Sequence, residues 1–209
     1  MPKSRTRKNR KAPGGSGLAV GKSSTPAERR RNKIIIAVSV AVAVAAIGGY
    51  WWKSAGEERQ FLALASQGKA VLARVRNERS LGGGHLLPGR SRSYPSRFPT
   101  SGSHHRVPTV PGFYDSQQLA TQLVHALEHG HVVIYYDRPG AEVLDALRRF
   151  AGLYTGLWAG VVVTPMPGLG RKIVLTAWAK RLDLPEFDAP AAAAFIDAYR
   201  GRGPERTVR

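Results

Sequence analysis

Residues 34–52, IIIAVSVAVAVAAIGGYWW, carry no charged side chain over 19 positions. About 20 apolar residues, rising ~1.5 Å each as a helix, cross the ~30 Å hydrocarbon core of a bilayer. The stretch is therefore expected to be one transmembrane helix. Its two flanks differ in chemistry. Residues 1–33 hold eleven Lys or Arg and a single acid, Glu28, whereas Tyr50, Trp51 and Trp52 close the other end. Basic residues stay on the cytoplasmic side, and aromatic side chains settle at the interface. The expected topology is a single pass through the cell membrane, with a basic, disordered cytoplasmic tail at 1–33 and everything beyond residue 52 extracytoplasmic. A cleaved signal peptide is the rival, since Arg29-Arg30-Arg31 hints at a twin-arginine signal. The apolar run is long for that purpose, and no clear A-x-A site follows it. Either reading exports the remainder of the chain.

The formal net charge of +18 shrinks once the tail is set aside. That tail accounts for about +10, which leaves about +8 on the rest and a mixed surface. The tail is expected to meet anionic lipid at the inner leaflet. An envelope protein is the other partner class, and nucleic acid is not expected to be one. Cysteine is absent, which excludes disulfides, thiolate ligands and a Cys nucleophile. Any metal must be held by histidine and carboxylate.

Composition divides the exported part. Residues 53–83 read as a membrane-proximal stalk or the first element of a domain, 84–205 as a histidine-containing globular domain, and 206–209 as a short tail. Within the domain, residues 79–112 are dense in Gly, Pro and Ser, a long stretch without regular structure that suggests a linker or a functional loop. From Asp115 or Ser116 a helix is expected through about residue 129, stopped by Gly130. HVVIYY follows as a strand, AEVLDALRRFAG as a helix, and GVVVTP and RKIVLTAWAK as two strands. A last helix begins at Asp188, with Pro190 in its first turn. The expected fold is α+β, or a small α/β sandwich, with a strand-helix-strand-strand-helix core.

The segment LVHALEHGHVVIYY concentrates the chemistry. His125 and His129 stand at i and i+4, so both rings leave one side of a helix, the spacing that offers two nitrogens to one ion. With Glu128 the pattern is HxxEH, the inverted form of the zinc-peptidase motif. Loop histidines at 85 and 104 could complete a site. The bland alternatives are concrete: His129 favouring the negative end of a helix dipole, His131 on an exposed strand edge, and His104-His105 solvated. No Ser-His-Asp pattern stands out, and no catalytic residue is assigned.

Several blocks together resemble the uncharacterised bacterial, membrane-anchored family known as domain of unknown function 3105. They are FPTSGSH at 98–104, PGFY at 111–114, LVHALEHG at 123–130 with VVIYY at 132–136, LTAW at 175–178 and RGRGPE at 200–205. Phe98 stands where the family pattern begins with proline. The resemblance implies one transmembrane segment before the domain. It also sorts the histidines: His85, His104, His125 and His129 fall on signature positions, whereas His105 and His131 do not. The expectation is a copper or zinc ion held by His104, His125 and His129 with His85, and Glu128 as a further ligand or an orienting group. A non-enzymatic envelope domain with a His/Glu hydrogen-bond network is the alternative, and a metallohydrolase using HxxEH the least favoured.

Overall fold

The computed structural model describes residues 25–209, so most of the basic tail expected at 1–33 lies outside the described residues. The chain forms two units, one ending at Gly49 and the other running from Tyr50 to Arg209. Helix α1, Pro26–Gln67, begins in the first and ends in the second. A reciprocal cap starts it: Thr25 N–H donates to Glu28 Oε2 at 2.8 Å, and Glu28 N–H donates to Thr25 Oγ1 at 3.3 Å. The helix is long and apolar enough to cross a membrane, and a signal sequence near an N-terminus would share those properties. The span expected at 34–52 falls inside it, with Ile36, Val42 and Trp52 all exposed.

In the second unit, α1 ends by packing Phe61 and Ala65 into a hydrophobic core, and a 3-10 helix at Lys69–Arg74 follows. Thus residues 53–83 contribute Phe61, Ala65 and Val71 to that core. The remaining elements are β1 (Arg76–Asn77), β2 (Gly112–Phe113), α2 (Ala120–Glu128), β3 (Val132–Tyr136), α3 (Ala141–Leu153), β4 (Val161–Pro165), β5 (Ile173–Ala177), β6 (Lys180–Leu184) and α4 (Ala189–Tyr199). Among the described residues the strands form one six-stranded mixed sheet, in the order β1-β6-β5-β3-β4-β2. β3 and β4 are parallel, as are β4 and β2. The pairs β3–β5, β5–β6 and β6–β1 are antiparallel. The α+β class expected from sequence appears, and the expected strand-helix-strand-strand-helix order gains one strand, β6, before the last helix.

Side-chain alternation builds two cores from one sheet. Val132, Ile134 and Tyr136 of β3 face α3 and α4, where Leu147, Phe150, Phe195 and Ile196 are buried. Val133 and Tyr135 face the other way, against Leu123, Ala126 and Leu127 of α2 and against Phe98 of the loop. Helix α2 and the Gly/Pro-rich loop thus share the second face.

Two local expectations change. Helix α2 begins at Ala120, after an uncapped Leu119, rather than at 115 or 116. The preceding residues are committed to the sheet edge instead: Tyr114 N–H donates to the Val163 carbonyl and Gln118 N–H to Thr164 Oγ1. The strand β6 was not expected. Its inward residues are only Leu182 and Leu184, set among Lys180, Arg181 and Asp183. The cap at Asp188 holds, with its carboxylate accepting from Ala191 N–H at 2.9 Å.

Candidate metal centre

Helical spacing carries His125, Glu128 and His129 to one side of the last turns of α2. Both histidines are buried. The Gly/Pro-rich loop brings the other two histidines to them through backbone pairing. His85 and His104 form a parallel β-bridge in which His104 N–H donates to the Gly84 carbonyl and Leu86 N–H to the His104 carbonyl. Side chains hold that loop in place. Ser101 Oγ accepts from Leu81 N–H, and the Tyr94 hydroxyl donates to the Ser103 carbonyl. The result is a cluster with ring centroids 5.3 Å apart for His85–His104, 4.9 Å for His85–His125 and 4.7 Å for His104–His125.

Donor atoms of His85, His104, His125 and Glu128 all lie within 4.8 Å of one another. A tetrahedral ion with bonds of about 2.1 Å sets its donors about 3.4 Å apart, so closure onto an ion needs inward movement of at most about an ångström. The tautomers suit such an ion. Carbonyl oxygens only accept, so the 2.9 Å contact between His104 Nδ1 and Gly102 O places the proton on Nδ1. The 2.7 Å contact between His125 Nδ1 and His105 O does the same. With Nδ1 donating to a carbonyl, Nε2 of each neutral ring is the nitrogen left for an ion, in the carbonyl–histidine arrangement that orients metal ligands.

Consider what His104 Nε2 then meets. It lies 3.0 Å from Glu128 Oε2, is buried, and makes no hydrogen bond. Two lone-pair atoms this close repel unless a proton or a cation lies between them. Room for that carboxylate comes from Gly83, where a Cβ would stand 2.5 Å from Glu128 Oε1. Burial pushes the pKa of His125 down to about 4, the neighbouring histidines add to the effect, and its hydrogen bond to His105 opposes it. Neutral imidazole is the form that binds metal.

His129 lies to the other side of His125. Its Nε2 is 3.0 Å from Glu205 Oε2, and donor atoms of His125, His129 and Glu205 form a second group within 4.8 Å. The structure thus brings His85, His104, His125 and Glu128 together and sets His129 with Glu205. Glu205 was not among the sequence candidates, although it closes the RGRGPE block. Its approach depends on two glycines. Gly130 (φ +86°) stacks against Gly203 so closely that a Cβ on Gly203 would stand 2.2 Å from the Glu128 carbonyl oxygen. Gly201 N–H donates to the Gly130 carbonyl and Glu205 N–H to that of Glu128, so the C-terminal segment runs along the end of α2.

The two remaining histidines differ. His105 is exposed. His131, imagined on an exposed strand edge, is buried instead, and its Nδ1 accepts from Gly160 N–H at 2.8 Å. The inverted zinc-peptidase pattern has its two helical histidines and a distant carboxylate, but Glu128, the required base, is engaged with His104. A cavity of about 700 Å³ between Asp137, Arg138, Arg171 and Glu186 has no histidine in its walls.

A family profile described as "Protein of unknown function (DUF3105)" matches residues 85–209. The chain belongs to this family. Searches of curated proteins and of solved structures find no match. In this DUF3105 chain the profile takes in His85, His104, His125, Glu128, His129 and Glu205, so both groups lie inside the family domain.

Proposed function

We propose that this chain is a single-pass membrane protein whose extracytoplasmic domain binds a transition ion, copper or zinc, through His85, His104, His125 and Glu128. The observation that carries the reading is the buried Nε2 of His104, which makes no hydrogen bond and faces the Glu128 carboxylate at 3.0 Å beside His85 and His125. A cation between them turns repulsion into two bonds. Imidazole and carboxylate without thiolate suit Cu(II) and Zn(II). Orientation follows from the basic residues before the apolar helix, which would also draw the tail to anionic lipid. An envelope protein is the partner proposed for the exported face.

Full-length protein in detergent should carry copper or zinc by elemental analysis. Calorimetric titration of the stripped protein should give at least micromolar affinity. His85→Ala, at an exposed position, should weaken binding by about tenfold or more, in the range seen when a metal site loses a supporting group. Absence of binding, or indifference to His85→Ala, would sink the proposal.

A second reading, a structural domain without metal, draws on the His85–His104 bridge and the His125–His105 hydrogen bond, which tie the loop to α2 without an ion. It requires that His85→Ala change the melting temperature equally with and without a chelator. The metal reading requires the difference to vanish in chelator.

A further inference from the structure

We infer that His125, His129 and Glu205 form a second ion site, alternative to the first, and that an ion passes between the two through His125. This deepens the metal reading and rests on it for the first site alone. Three observations carry it. Donor atoms of the three residues lie within 4.8 Å of one another, and His129 Nε2 is 3.0 Å from Glu205 Oε2. The Nδ1 of His129 is buried without a partner, so the polar contact of this ring is the one that Nε2 makes with the Glu205 carboxylate. Finally, His125 belongs to both groups.

That sharing sets the logic of the pair. His125 spends its one proton on the His105 carbonyl and keeps a single lone pair. One lone pair binds one ion, so His125 completes either site but never both together. The Glu205 side chain is 44% exposed, whereas that of His104 is fully buried. An ion taken up by Glu205 and His129, the outer group, gains His125, the ligand shared with the inner group of His104, Glu128 and His85, whose own solvent-exposed member is His85. Each site supplies one carboxylate and otherwise neutral imidazoles. Movement between them therefore separates no charge, and the inner group offers one nitrogen more. Trp158 lies against His129, with ring centroids 4.3 Å apart and planes tilted by 31°, and forms a wall of the outer site.

Trp158 also makes the outer site observable. In full-length protein in detergent, His85→Ala/Glu128→Gln should still bind about one equivalent of Cu(II), with quenching of tryptophan fluorescence that Trp158→Phe removes. Adding Glu205→Gln should weaken that binding at least about tenfold, the lower range for losing a group that supports a metal site. Loss of all binding in the double variant, indifference to Glu205→Gln, or quenching that survives Trp158→Phe would each overturn the inference. If binding to the unaltered chain ignored His85→Ala but vanished with Glu205→Gln, the first site would fall and this one would stand.

Discussion

His131 shapes the cluster without belonging to either group of donors. Burial, with a smaller contribution from the neighbouring His129 and His125, pushes its pKa down to about 3. An unfolded histidine titrates near 6.5. Between those values the unfolded chain binds more protons than the folded one, so stability rises with pH across that window and falls on acidification. His125, with its pKa at about 4, adds to the same slope. The metal-free protein should therefore lose melting temperature steadily from pH 7 to pH 4. The slope should become shallower in His131→Asn, which keeps an acceptor for Gly160 N–H. An equal slope in both proteins would show that His131 does not set the pH dependence.

At the scale of elements, the site is a meeting of three segments, and the C-terminal segment meets α2 through backbone contacts. Gly203→Ala forces a methyl group onto the Glu128 carbonyl and Gly130, neither of which is a flexible side chain. The expected cost is about 1–3 kcal/mol, as for other overpacked positions, with release of Glu205 from His129. Glu205→Gln should leave the melting temperature nearly unchanged. A Gly203→Ala protein as stable as the parent would show that the segment docks by other means. The same contacts explain what the sequence hides. The i, i+4 pair on α2 and the cap at Asp188 are local, and each can be read from a few neighbouring residues. Glu205 reaches His129 only because Gly130 and Gly203 allow two backbones to touch, and no spacing announces that. His85 and His104 could be singled out as candidates, but their pairing as a bridge could not. Strand β6 escaped because Arg181 and Asp183 put charge on one of its faces, although Leu182 and Leu184 keep the two-residue period.

Across the molecule, the sheet separates what holds the domain together from what its donors can do. Phe195 and Ile196 are fully buried on the face covered by α3 and α4, and α2 carries its histidines on the opposite face. Phe195→Ala should cost about 3–5 kcal/mol in denaturant unfolding while leaving the affinity for Cu(II) within about twofold of the parent. A large fall in affinity for a protein still folded would mean that the two faces are coupled. The bridge between His85 and His104 has one more consequence, for the unfolded chain. An ion gripping that pair together with His125 closes a loop of about 40 residues, and such closure removes entropy from the denatured ensemble much as a disulfide does. In a chain without cysteine, the ion would be its cross-link, reversible and set by supply of the metal rather than by redox state.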